Sequence, residues 1–189
     1  MLKKYKPKKC KVCETVFEPR KPLQKVCTIE CAIELTRQVK EKEVKRREAK
    51  RLREGRESLM TKSDHLKLAQ SAFNKFIRAR DRAAGSACIS CGRNTGAKMN
   101  AGHYLSVGSH PEKRFTEDNC HLQCEHCNSY KSGNQQLYRS QLIKKIGLER
   151  VEALENGEYQ PLKLTIEDIK QIKEKYLKLA REIKGGKPA

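Results

Sequence analysis

The chain has 189 residues with 37% hydrophobic and 5% aromatic content and no Trp, and its 42 Lys and Arg against 23 Asp and Glu give a formal net charge of +19. Such a chain suits one modest domain plus an appendage around a small core, and its charge calls for a polyanionic partner, nucleic acid first. A membrane role is disfavoured: no apolar run approaches the roughly 20 residues of a spanning helix, the basic segments lack an apolar face to embed, and the start MLKKYKPKKC has no apolar stretch of a secretory signal.

Eight of the nine cysteines fall into Cys-x2-Cys or Cys-x3-Cys pairs, which in a reducing, intracellular compartment reads as metal binding rather than disulfides; Cys120 is left over. Residues 1–34 form the first predicted unit. Cys10 and Cys13, a short hairpin, then Cys27 and Cys31 opening a helix would bring four sulfurs around one zinc ion, with Val12, Val16, Phe17 and Val26 as a miniature apolar core. Lys3, Lys4, Lys6, Lys8 and Lys9 precede it and suit phosphate contact.

From about Glu34 the composition turns to strong helix formers with sparse apolar positions, predicting a solvated basic helix over 35–62, frayed near Gly55. Arg46, Arg47, Lys50, Arg51 and Arg53 make it a candidate arm along a DNA backbone, against the plain reading of a solvated linker. Ser63 is the expected N-cap of the next helix, in which Leu66, Ala69, Phe73, Phe76 and Ile77 recur at helical spacing. Its two Phe are core residues by the usual burial of aromatics, and His65 reads as a surface or capping residue.

The stretch Cys88–Asn134 organises the chain. Cys88/Cys91 and Cys124/Cys127 supply a second four-thiolate zinc site. Between the pairs, a strand ending at His103 and a second near Arg114–Thr116 or Cys120–Gln123 precede a helix at the second pair, a ββα arrangement. A pocket of this kind can hydrolyse phosphodiesters with few parts: a His to take a proton from water, a divalent ion on the scissile phosphate, and a residue orienting the His. His103 is the candidate base. Lys113, Arg114 and Tyr104 flank it as candidate phosphate contacts, His126 reads as surface or phosphate-contacting, His110 as a loop residue and Cys120 as buried packing. Helices over 135–146 and 148–155, the former ended by Gly147, and a last helix after Thr165 should buttress this domain of residues 63–184, leaving 185–189 as a disordered tail.

These residues resemble a family. His103, Asn119 and Asn128 with the cysteine pairs are similar to the HNH (ββα-metal) endonuclease motif, and AGHYLS, RFTEDNCHLQCEHCN and KSGN, with the four-Cys module and basic helix, resemble the lambdoid-phage NinG (Rap) recombination proteins along nearly the whole chain. The resemblance implies a phage or prophage DNA endonuclease in the bacterial cytoplasm, cutting branched intermediates such as Holliday junctions and D-loops. It makes His103 the general base, Asn119 the residue holding it, Asn128 a ligand of catalytic Mg²⁺ or Mn²⁺, and Lys131 a phosphate contact. One position departs from the motif: where many HNH enzymes carry a metal-binding Asp before the base, this chain has Gly102. His121 is the nearest substitute ligand, with Asp118 next.

The fold class expected is therefore α+β and mostly helical, a zinc-stapled ββα-metal unit buttressed by helices. Two structural Zn²⁺ ions and a catalytic Mg²⁺ or Mn²⁺ are its expected cofactors. DNA is the expected partner, with phage or host recombination proteins and a homodimer as further ones, since symmetric resolution of a four-way junction needs two active sites. The rival reading is a non-catalytic zinc-dependent DNA-binding recombination adaptor. RNA binding would fit the charge but leave His103, Asn119 and Asn128 unexplained.

Overall fold

A computed structural model describes residues 5–94, 96–157 and 159–185. The fold is α+β and mostly helical, and it divides into two compact units, Met1–Leu59 and Met60–Ala189.

In the first unit, strands β1 (Lys8–Lys9) and β2 (Val16–Phe17) pair antiparallel, Lys8 opposite Phe17 and Lys9 opposite Val16. The turn between them is a knuckle in which Glu14 N–H donates to Cys10 O at 3.1 Å, with Glu14 at φ 60°. The expected apolar core does not form. Val16 is 60% exposed, and among the described residues of this unit only Cys10 and Pro19 are buried. With so little apolar area to bury, the sulfur cluster is what can order this module.

Helix α1 (Ile29–Ser58) starts inside the second cysteine pair, earlier than the basic run suggests, because Thr28 caps it by accepting Cys31 N–H at 3.3 Å. None of its residues is buried, and it runs through Gly55 without fraying there. Ion pairs one turn apart, Arg47–Glu43 at 2.8 Å and Arg37–Glu34 at 2.9 Å, lend a little support to a helix made of good formers.

The second unit is built on two long helices, α2 (Lys62–Ala83) and α5 (Ile166–Lys184), and a hairpin of β3 (Met99–His103) and β4 (Cys120–Cys124). Of the two places considered for the second strand, Cys120–Cys124 is the one used; Arg114–Thr116 lies between two 3₁₀ turns. The strands pair antiparallel with Gly102 opposite His121 and His103 opposite Cys120. Phe73, Phe76 and Ile77 of α2, Tyr176 and Ala180 of α5 and Cys120 of β4 form one buried cluster. A second cluster joins Ile89 and Tyr104 to α3 (Gln135–Ile146) and α4 (Leu148–Asn156) through Tyr138, Leu142, Val151 and Leu154.

Two expectations for α2 are corrected. Thr61, not Ser63, is the N-cap: Thr61 and Asp64 exchange hydrogen bonds as a capping box, and Ser63 has no carboxylate three residues on with which to do so. His65 is buried rather than at the surface, since it shares the helical face of Ala69, Ala72 and Phe73. Of the tail, residues 186–189 lie outside the described residues, as do Lys3 and Lys4.

Candidate functional site

Two cysteine tetrads could each hold a zinc ion: Cys10, Cys13, Cys27 and Cys31, and Cys88, Cys91, Cys124 and Cys127, with the sulfurs of each set within 4.8 Å of one another. A tetrahedron of Zn–S bonds of about 2.3 Å has edges near 3.8 Å. Cys27 to Cys31 and Cys91 to Cys124 are both 3.7 Å apart, and Cys13 to Cys27 is 3.4 Å. The donor set is all thiolate, so each site is of the closed, structural kind. The second tetrad takes one pair from before β3 and one from the end of β4, tying the hairpin at its base.

The hairpin's far end carries His103. Its Nε2 lies 3.1 Å from the Arg114 carbonyl oxygen, which can only accept, so Nε2 carries the hydrogen and the lone pair of the neutral ring is on Nδ1. Nδ1 faces the Cys120 sulfur at 3.7 Å, and the ring leans on Phe73 with centroids 6.0 Å apart. Burial pushes the Cys120 thiol far up, so it stays protonated. Burial is also the main reason the His103 pKa is lowered; the Arg114 charge works the same way and the Arg114 carbonyl against it. His103 is therefore a neutral imidazole at neutral pH.

Asn119 is fully buried and spends its side chain on the loop between the strands. Its Nδ2 donates to Leu105 O at 3.0 Å and Lys113 O at 3.3 Å, and its Oδ1 accepts Leu105 N–H at 2.8 Å. It thus closes the loop at both ends and places Arg114, the next residue, where its carbonyl meets His103.

Asn128 stands on a single wide helical turn, His126–Tyr130, that follows β4. It reaches Gly102: a Cβ built at Gly102 would lie 3.0 Å from Asn128 Oδ1 and 2.1 Å from Gln123 Oε1. Glycine is required there, because any side chain would occupy the space the Gln123 amide fills. Gln123 is fully buried, and its Nε2 donates to Gly133 O at 2.6 Å and Ser90 Oγ at 2.7 Å. Since Gly133 O can only accept, the amide orientation is fixed and Oε1 must face Gly102. Oε1 is the one buried side-chain polar atom among the described residues without a hydrogen-bond partner. Such an oxygen costs about 1–3 kcal/mol if nothing meets it. Ser132, Gly133 and Asn134 all have positive φ, the strained turn that presents Gly133 O to Gln123. Behind Gly102, the buried Tyr138 hydroxyl donates to its carbonyl at 2.9 Å.

Other expected site residues are placed elsewhere. His121 is corrected as the substitute metal ligand: its Nδ1 lies 3.0 Å from Arg80 Nη2 and its Nε2 3.1 Å from Asp118 O, so both ring nitrogens already have protein partners. Burial leads in lowering its pKa, against the pull of Asp81, and keeps it neutral. Asp118 is paired with Arg150. Lys113 is corrected as a phosphate contact, being buried with its ammonium bonded to Leu154 O and 4.6 Å from the Tyr159 ring centroid. Tyr104 is corrected likewise, buried with its hydroxyl on Glu155 Oε1, which Arg139 also holds at 2.7 Å. Arg114 is half-buried, Lys131 and His126 are exposed, and Arg46, Arg47, Lys50 and Arg51 lie exposed on α1 in the first unit. Gln123 carries no signal in the sequence beyond its place on the strand face of His121, the residue opposite Gly102.

Residues 2–185 match the family described as bacteriophage lambda NinG protein. Similar proteins include the ninG protein of Escherichia phage lambda, 37% identical over 203 residues, 99% of this chain and 98% of that one. That of Escherichia phage 933W is 37% identical over 194 residues, 95% of each chain, and that of Salmonella phage P22 is 41% identical over 127 residues, 67% of this chain and 61% of that one. No solved structure matches the chain.

Proposed function

The chain belongs to the NinG family of bacteriophage proteins, and from that premise we propose that it is a divalent-metal-dependent DNA endonuclease of phage recombination, cutting branched DNA such as Holliday junctions and D-loops. The observation that carries this reading is the setting of His103. A neutral imidazole with its Nε2–H engaged by Arg114 O leaves its lone pair on Nδ1, met only by the weak Cys120 S–H donor at 3.7 Å. A water molecule can displace that donor where it could not displace a guanidinium, and this is the arrangement a general base needs. Asn119 does not touch the reacting atoms; it locks the loop that locks the histidine.

In the proposed reaction, Nδ1 of His103 takes a proton from water as the water oxygen attacks the scissile phosphorus, and the P–O3′ or P–O5′ bond breaks with its electron pair leaving on that oxygen. A bound Mg²⁺ or Mn²⁺ would supply charge neutralisation for the phosphate and the leaving oxygen. Asn128 Oδ1 would hold it, and the donors beside Gly102 are of the type a hard cation takes, two amide oxygens of which one has no hydrogen-bond partner. Neutral ligands hold such an ion weakly, so metal and substrate phosphate should bind together. Lys131 and the cationic face of α1 suit the DNA backbone.

Gly102 favours a second reading, a zinc-dependent DNA-binding recombination adaptor without catalysis, because it removes a carboxylate from the pocket. The test is incubation of zinc-loaded protein with a labelled four-way junction and matched linear duplex in Mg²⁺, Mn²⁺ or EDTA, beside His103→Ala. Metal-dependent nicks near the branch that vanish in the variant, with junction binding retained, support the nuclease. Binding without cleavage under every metal favours the adaptor.

A further inference from the structure

We propose that Gln123 is the oxygen ligand that stands in for the carboxylate missing at position 102, so that a divalent cation is held between Gln123 Oε1 and Asn128 Oδ1. The inference deepens the nuclease reading and rests on it for its catalytic meaning, but the site itself rests on the geometry around Gly102.

Three observations converge. Gln123 Oε1 is buried and partnerless while the Nε2 of the same amide donates two hydrogen bonds, so the oxygen is held still and aimed, not merely stranded. It sits 2.1 Å from where a Cβ of residue 102 would be, in the space a side chain there would enter. Asn128 Oδ1 is 3.0 Å from that same point, and the triangle these distances make keeps the two oxygens within about 5 Å of each other. A cation with bonds of about 2.1 Å spans ligand oxygens some 3–4 Å apart. The glycine and the glutamine are thus complementary: the strand that would have supplied a carboxylate gives up its side chain, and the neighbouring strand fills the vacated space with an amide oxygen. Both ligands are neutral, which leaves the ion its full charge for the phosphate. The competing arrangement is an Asn128 amide turned over to donate its Nδ2 to Gln123 Oε1, a purely structural pair.

The test is Mn²⁺ binding to the full-length, zinc-loaded protein, followed by electron paramagnetic resonance, alone and with a phosphorothioate four-way junction that resists cleavage. Wild type should bind one Mn²⁺, more tightly with the junction. Gln123→Met, similar in length but without the oxygen, should bind roughly tenfold or more weakly with its zinc content intact. The double variant Gly102→Asp with Gln123→Ala should recover or exceed wild-type affinity, because the carboxylate enters the space the glutamine leaves. If Gln123→Met does not fold, the wild-type protein still answers: Mn²⁺ should broaden the side-chain amide resonance of Gln123 in an ¹⁵N spectrum. Wild-type affinity in folded Gln123→Met, or an unbroadened Gln123 signal at saturating Mn²⁺, overturns the assignment in favour of the structural pair. So does wild type that binds no Mn²⁺ with or without the junction. The two readings fail separately. Metal-dependent cleavage undiminished in Gln123→Met sinks the ligand and keeps the nuclease; Mn²⁺ held through Gln123 by a protein that never cuts does the reverse.

Discussion

Asp81 Oδ2 accepts the backbone N–H of Leu122 at 2.6 Å, so a carboxylate buried on α2 grips the middle of β4. The same carboxylate lies 2.8 Å from Arg80, 3.5 Å from Lys145 and 3.6 Å from His121 Nδ1. Burial alone would raise its pKa, but the polar contact of His121, the Arg80 guanidinium and the Leu122 N–H outweigh it and hold the carboxyl well below its ordinary 3.8. Asp81→Ala should therefore destabilise the second unit by about 1–3 kcal/mol in chemical denaturation, leaving the Leu122 N–H without its acceptor while Arg80 keeps its bonds to Glu117 O, Cys120 O and His121. Because the folded pKa is depressed, the contribution of Asp81 is complete above about pH 4 and is lost as the pH falls below that. The wild-type and Asp81→Ala stability curves should converge in acid.

Cleavage should report His103 through its pH profile. Its pKa is lowered from 6.5, so the base form is already dominant at neutral pH and the acid limb of kcat should have its midpoint below pH 6.5. An acid limb centred above 6.5 would mean another base, or a paired imidazolium, is at work.

Asn119→Ala frees both ends of the loop that positions Arg114. Since Asn119 touches no reacting atom, its loss should lower kcat about 10- to 100-fold, by analogy with groups that orient ligands from behind, while the Kd for a junction stays near wild type. Equal loss of binding and rate would argue for a collapsed fold instead.

Zinc content separates the two tetrads. Metal analysis should give two zinc ions per chain for wild type and one for Cys13→Ser or Cys124→Ser. Only Cys124→Ser should abolish the cooperative melting of the second unit, since its sulfur ties β4 to the Cys88 knuckle, and zinc binding of this kind is worth about 10–16 kcal/mol of folding free energy.

Changing Arg46, Arg47, Lys50 and Arg51 together to Ala should leave the second unit's stability unchanged and cost α1 only its Arg47–Glu43 and Lys50–Glu54 pairs, as all four are exposed on a helix with no buried residue. The slope of log affinity against log salt should flatten by about 0.9 for each phosphate contact removed. An unchanged slope in fluorescence anisotropy would return α1 to the role of a solvated linker.

The spacing of residues reveals what is periodic or paired and conceals what depends on a distant partner. The tetrads, the α2 face of Ala69, Phe73 and Phe76 and the stop at Gly147 all lie in short repeats and caps, and these are where sequence and structure agree. Lys113, Tyr104 and His121 look available for DNA or metal only until Leu154, Glu155, Arg80 and Asp118 are brought beside them. Gln123 is the sharpest case. Its meaning depends on Gly133, Ser90 and Gly102 together, and no local pattern announces that meeting.

The closure of the strand-to-strand loop by Asn119 has a practical outcome. Leu105 and Lys113 are fastened at their backbones, while Ser106, Gly108 and Ser109 between them are exposed, and the tip is closed on itself by Ser106, which bonds Ser109 and accepts the His110 N–H. The segment hangs outside a closed ring, like a bead on a sealed loop of string. A fluorophore or short epitope grafted at Gly108 would therefore sit on the same hairpin as His103 without pulling on it, a ready handle for following this protein in any binding assay.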